Sequence, residues 1–364
     1  MTEVLLKELS SNDIDWIVST GNQREIADGT ILIQEGQNTD ELHILLDGTL
    51  AVIVEQADNN PLARAYAAID GGDNLGWEIA RLSNGEVVGE IPFVSTHVTS
   101  STIKSVGNSL VVSLPVNQLA TKLQQDVGFA ARFYRAIAIM FSDRLQSIIK
   151  RFGRNNIAQG QPLKDVLFVL GELHDSDIDW IMACGFQHQI PDNTVIIQQS
   201  GTVEGLYILL NGIMSLSIAF DERNPLARAF AAIEEKEIIG REIARVSKGE
   251  ILGETPFIDG RLPAATVTTL EECLVLFIPR QILAAKLQQD VGFASRFYRV
   301  IATLLSSRSQ GMLSRLGYGK RAYTRGEPLN RNVQYGDELD FSVLDKMALA
   351  GQRFDWIRKR LKVS

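Results

Sequence analysis

The sequence predicts a mainly β protein with helices, built as two tandem β-barrel domains. Three observations predict it: an internal repeat, short β-rich runs between turn residues, and a long amphipathic helix closing each copy. The chain repeats at a constant offset of 164 residues, so that Lys122–Ala130 (KLQQDVGFA) returns unchanged as Lys286–Ala294. Asn60-Pro61-Leu62-Ala63-Arg64-Ala65 returns as Asn224 to Ala229 at the same offset. Two copies are too few for a solenoid, so each reads as a self-contained domain. A chain of 364 residues has room for two domains of ordinary size.

Each copy opens with a short helix, near Asn12–Ser19 and Ser176–Cys184. Strand-like runs follow. Ile31-Leu32-Ile33, His43 to Leu46 and Leu50 to Val54 are rich in β-branched and aliphatic residues. Asp47-Gly48, between the last two, predicts a tight hairpin turn, as does Asn211-Gly212 in the second copy. Many short strands at regular spacing predict a sandwich or barrel. The apolar positions Phe129, Phe133, Ile137, Phe141, Leu145 and Ile148 then recur at helical spacing on one face. Arg132, Arg135, Arg144, Lys150 and Arg151 read as the solvated face of that helix. These elements set the expected boundaries: domain 1 over 1–152, a polar linker over 153–163, domain 2 over 164–316, and an extension with a terminal helix over 317–364. Trp356 in that helix echoes Trp16, as if a third copy began and stopped.

Composition narrows the function. The net charge of −8 opposes general nucleic-acid affinity, which needs surplus Lys and Arg. The two cysteines, Cys184 and Cys273, are too few for a disulfide framework, and a cytoplasmic location is expected. No run of ~20 apolar residues predicts a membrane span. The four histidines are scattered without metal-binding spacing, and no nucleotide-phosphate loop or nucleophile elbow is present. No metal site and no enzyme is expected, and these residues by themselves make no cofactor certain.

Gly249-Glu250-Ile251-Leu252-Gly253-Glu254, followed by Leu262-Pro263-Ala264-Ala265-Thr266-Val267, resembles the cyclic-nucleotide-binding domain family. Ala27-Asp28-Gly29-Thr30-Ile31 with Gly36 adds to the likeness. The resemblance covers most of residues 1–316 and implies two jelly rolls. It also implies a site for cAMP or cGMP built on a Gly-Glu pair and an R-A-A-T run. In the family the Glu holds the ribose and the Arg pairs with the cyclic phosphate as a fork. Gly253, Glu254, Ala264, Ala265 and Thr266 carry over, as do Gly89 and Glu90. Ser100, Ser101 and Thr102 stand for the A-A-T run in the first copy. The Arg carries over in neither, since its place falls on Thr99 and Pro263; Arg261 is two residues away, and a shifted loop would bring it round. Losing one partner of a buried charge pair costs roughly 2–5 kcal/mol, about 30- to several-thousand-fold in affinity. Two readings stay open: the Gly-Glu pairs are retained for the turn alone, or one copy still binds ligand.

A second departure is an extra segment in each copy, Asp58–Gly76 and Glu222–Gly240, carrying Arg64 and Tyr66 in one and Arg228 and Phe230 in the other. These four are candidate partner-binding residues; the alternative is a longer strand pair packed on its own barrel. The expected function is a non-enzymatic regulatory or adaptor protein acting through protein–protein contacts on a partner or larger assembly, with a cyclic-nucleotide sensor as the alternative. In this family the long helix often mediates dimerisation, so the helices are expected to pair within the chain, with packing on their own barrel or in a homo-oligomer as the alternatives. Too little chain follows the second long helix for a winged DNA-binding domain, so no sequence-specific DNA binding is expected.

Overall fold

The computed structural model describes residues 4–54, 76–94, 99–152, 167–219, 240–315 and 341–363. Two compact units divide the chain: residues 1–152 with 294–346, and residues 153–293 with 347–364.

Unit 1 starts with α1 (Val4–Glu8) and α2 (Ser11–Thr20). A reciprocal cap starts α2: Ser10 N–H donates to the Asp13 carboxylate at 2.8 Å and Asp13 N–H to the Ser10 hydroxyl at 3.3 Å. Eight strands follow: β1 (Asn22–Ile26), β2 (Ile31–Ile33), β3 (Glu41–Asp47), β4 (Leu50–Val54), β5 (Trp77–Leu82), β6 (Val87–Val88), β7 (Thr102–Ser105) and β8 (Ser109–Pro115). They form two antiparallel four-stranded sheets, ordered β1-β8-β3-β6 and β2-β7-β4-β5, which is jelly-roll connectivity. The short α3 (Ile91–Val94) follows β6, and α4 (Val116–Gln125) and α5 (Val127–Phe152) follow β8. Leu42, Leu45, Leu50, Val54, Val87, Val111 and Leu114 fill the core.

Asp47-Gly48 is not a hairpin turn. β3 bonds to β6 and β8, whereas β4 bonds to β5 and β7, so the turn carries the chain from one sheet to the other. Gly48 has φ +99°, and a Cβ there would lie 2.7 Å from the Cα of Ser109. The turn residues encode the reversal but not the partner strand. β4 pairs antiparallel with β5 instead, with Val54 opposite Trp77. Arg64, Tyr66, Arg228 and Phe230 lie outside the described residues.

Unit 2 repeats the plan with α6 (Leu167–Glu172), α7 (Asp175–Cys184), β9 (Phe186–Ile190), β10 (Val195–Ile197), β11 (Gly205–Asn211), β12 (Met214–Ile218), β13 (Arg241–Val246), β14 (Ile251–Leu252), α8 (Thr255–Ile258), β15 (Thr266–Thr269), β16 (Cys273–Pro279) and α9 (Arg280–Gln289). Its sheets run β9-β16-β11-β14 and β10-β15-β12-β13, the same order as in unit 1. The Asn211-Gly212 turn likewise crosses between sheets. Ile197, Leu209, Met214, Val246, Val267 and Val275 form one apolar cluster of its core. The long helix α10 (Val291–Arg315) starts in unit 2 and from Ala294 belongs to unit 1; α11 (Phe341–Arg360) ends the chain.

The repeated KLQQDVGFA run makes the joint between the last two helices of each copy. Asp126 accepts from Lys122 at 2.8 Å and from the Phe129 N–H at 2.9 Å, so it caps the start of α5. Asp290 does the same for Lys286 and Phe293 at 2.8 Å each. Trp16 packs edge-on to Phe129 with centroids 5.5 Å apart, and Trp180 to Phe293 at 5.1 Å. The strongest identity between the copies therefore has a structural cause.

Candidate functional site

The site is built where β6 ends. Gly89 has φ +85°, and a Cβ there would stand 2.5 Å from the Glu41 carbonyl oxygen. Gly253 repeats this with φ +83° and the Gly205 carbonyl at 2.5 Å. Both positions therefore require glycine whether or not a ligand binds. The left-handed turn sends the chain directly into α3 or α8, with Pro92 and Pro256 in the first turn, where a missing N–H costs nothing.

Glu90 follows and is buried, only 5% exposed. Its carboxylate is bonded by the Arg144 guanidinium, which reaches down from α5 and also donates to the Val87 carbonyl. A charge buried here needs such a partner. Arg144 is thus not on a solvated face, and Arg132 and Arg135, though partly exposed, are ion-paired. Arg132 forks onto Asp13 at 2.6 and 3.0 Å, and Arg135 pairs with Glu8 at 3.1 Å. Burial pushes the Asp13 carboxyl up, but the bonds from Arg132 and Ser10 outweigh it and hold it below its ordinary value. A helix read alone shows these arginines without their partners, which come from distant parts of the chain. Lys150 and Arg151 have side chains outside the described residues.

A cavity of about 80 Å³ opens beside Glu90. Gly89, Glu90, Ser100 and Ser101 are brought together on its wall, with Ile33, Val52, Ile79 and Ile103 as its apolar side. Thr99, expected from the resemblance to stand in the place of the family Arg, also lines it. Its hydroxyl donates back into the loop after β2, with the Gln34 and Gln37 carbonyls at 2.9 and 2.6 Å. Thr102 accepts from the Glu35 N–H at 3.0 Å, so it too secures that loop. The charged groups on this wall, Glu90 and Arg144, are bonded to each other. Among the described residues, no guanidinium lines the cavity except the one engaged by Glu90.

In unit 2, Glu254 is buried at the start of α8, and Ala264, Ala265 and Thr266 lie on the corresponding turn into β15. The Pro263 carbonyl accepts from the Ser200 N–H at 2.9 Å, as the Thr99 carbonyl does from Gly36 at 2.8 Å. Thr266 accepts from the Gln199 N–H at 3.1 Å. Arg261 is bonded to Asp259, two residues before it.

Sequence reading missed Arg144 and the α10 residues Ser306, Ser309, Gln310 and Leu313, which complete the cavity wall. The signal for Arg144 was its recurrence as Arg308 at the repeat offset; for the α10 residues there was none. Among the described residues no group of His, Cys, Asp and Glu is placed to hold a metal ion, and no helix is long and apolar enough to cross a membrane. His97 lies outside the described residues.

The cyclic nucleotide-binding domain family matches the chain twice, at residues 23–126 and 187–290. No curated protein sequence matches it. Similar solved structures include the regulatory domain of Toxoplasma gondii PKA with cAMP, at 16% identity over 79% of this chain and 89% of that chain, TM-score 0.28. A regulatory subunit of a cAMP-independent protein kinase A from Trypanosoma cruzi, bound to guanosine, shares 17% identity over 80% of this chain and 82% of that chain, TM-score 0.28. A cyclic nucleotide-binding domain from Methylobacillus flagellatus shares 15% identity over 42% of this chain and 82% of that chain, TM-score 0.34.

Proposed function

This chain belongs to the cyclic nucleotide-binding domain family, with two such domains in tandem, and from that premise we propose a non-enzymatic regulatory protein that acts by protein contact. Both domains are degenerate in this reading, and the output is a docking event on a partner or larger assembly rather than a reaction. The observation that carries it is Thr99. The residue standing where a phosphate-binding guanidinium is needed spends its only donor on its own loop. An anionic ligand in that cavity meets no uncommitted positive charge among the lining residues, and burying a phosphate without one is strongly unfavourable.

One observation favours a second reading for unit 2. Arg261 lies seven residues beyond Glu254 and is held by Asp259. A phosphate that displaced Asp259 would gain a guanidinium, and the domain would then be a sensor for cAMP or cGMP.

Calorimetric titration of the full chain with cAMP and with cGMP, to millimolar ligand, decides between them. The adaptor reading expects no saturable heat with either ligand. Saturable binding that disappears in Glu254→Ala and in Arg261→Ala would replace it with the sensor reading.

A further inference from the structure

From Ala294 onward α10 lies in unit 1, where polar contacts accompany its buried apolar side chains Phe297, Ile301 and Leu305. Two of these contacts are reciprocal. The Arg135 guanidinium stands 5.8 Å from the Tyr298 ring, and that of Arg299 stands 5.8 Å from the Tyr134 ring. Tyr134-Arg135 and Tyr298-Arg299 are the same two positions of the repeat, so α5 and α10 meet as equivalent partners within one chain.

One turn further on, α10 reaches the candidate site. The Thr303 hydroxyl donates to the carbonyl of Val94, the last residue of α3, at 2.6 Å, with the Arg299 carbonyl of its own helix at 2.9 Å. Ser306, Ser309, Gln310 and Leu313 then close the cavity opposite Gly89, Glu90 and Ile91. The face presented to the cavity carries hydroxyls and an amide where plain packing would use aliphatic side chains. Gln310 Nε2 is buried there with no hydrogen-bond partner among the described residues, an arrangement that costs free energy.

We propose that α10 is the built-in occupant of the unit-1 pocket: it takes up the space beside Glu90 and, through Thr303, holds α3 closed. This deepens the regulatory reading above, because it makes the state of the first domain depend on α10 rather than on a free nucleotide. Anything that draws α10 away releases α3.

Hydrogen–deuterium exchange on the full chain, with no nucleotide present, tests this. The reporter is the Phe93 amide, which donates to the Glu90 carbonyl at 3.0 Å inside α3. Thr303→Val keeps the shape and removes the bond to Val94; Gln310→Ala shrinks the occupant. Each variant is expected to speed exchange at Phe93 by roughly tenfold, as loss of a local restraint does. The Val275 and Leu276 amides of β16 should be unchanged. Phe93 protected as in the wild type in both variants overturns the proposal. So does a uniform acceleration across β3, β8 and α3, which reports lost overall stability rather than a released lid. Because no ligand is used, this outcome and that of the titration are independent.

Discussion

Arg24, His43 and Ser113 make a polar chain in the first copy, where the second has His188, Tyr207 and Phe277. Arg24 Nε donates to the Ser113 hydroxyl at 3.1 Å, and that hydroxyl lies 2.8 Å from His43 Nδ1. At the matching positions, Phe277 packs against both Tyr207 and His188, with centroids 5.0 and 5.5 Å apart. Three changes occur together because each partner must suit the other two. Burial pushes the His43 imidazole down from 6.5 to about 4; Glu41 opposes the fall and Arg24 adds to it. The folded chain therefore holds His43 neutral where the unfolded chain protonates it. Its contribution to stability is complete above pH 6.5 and is lost as pH falls towards 4, by about 3 kcal/mol in all. Urea unfolding at several pH values should show that slope in the wild type and a shallower one in His43→Gln. Gly89 makes a prediction of another kind. Gly89→Ala places a Cβ at φ +85° and against the Glu41 carbonyl, so it should lose at least about 1–2 kcal/mol in denaturant unfolding. That loss should appear with no nucleotide in solution, which separates a role in the turn from a role in binding.

At the scale of elements, helix ends are held by side chains that act across large sequence distances. Arg353 of α11 is 14% exposed at its side chain and sits over the end of α6. It donates to the Leu170 and Leu173 carbonyls at 2.7 and 2.6 Å and to Asp175 at 2.7 Å. These carbonyls are the acceptors a helix C-terminus leaves open, and a positive charge there is doubly favourable. Ala350, Phe354 and Ile357 complete the seat as buried apolar residues. Arg353→Ala should cost about 2 kcal/mol of docking, read as faster tryptic cleavage between residues 341 and 363 with the rest of the chain still resistant. Trp356 does not reproduce the packing of Trp16: it is 39% exposed and carries Arg360 over its ring, whereas Trp16 packs on Phe129.

At the scale of the whole molecule, the compact units are not the repeats. The repeat has one period throughout, yet α10 divides, with Val291–Phe293 in unit 2 and the remainder in unit 1. The Gly-Glu pair of the first copy is therefore walled partly by residues from the second. The nucleotide titration belongs to this scale, since both copies contribute to any heat observed. Only the Glu254→Ala and Arg261→Ala comparisons assign that heat to unit 2.

The sequence by itself determined the two copies, their strands, the long closing helices and the Gly-Glu turns. Each of these rests on periodicity or turn chemistry among near neighbours, which a chain carries before it folds. The expectation that Thr99 and Pro263 stand where the family resemblance places an arginine was likewise read from the sequence alone. Only the tertiary structure decided that Asp47-Gly48 crosses between sheets, that Arg132, Arg135 and Arg144 find carboxylate partners, and that α10 seats beside Glu90. In each case a local signal states what a residue can do and leaves open with whom. Asp13 and Arg132 stand 119 residues apart, and Val94 and Thr303 stand 209 apart. Such partners are selected by which packing buries the most apolar surface while leaving the fewest charges unpaired, a property of the whole fold rather than of any window of sequence.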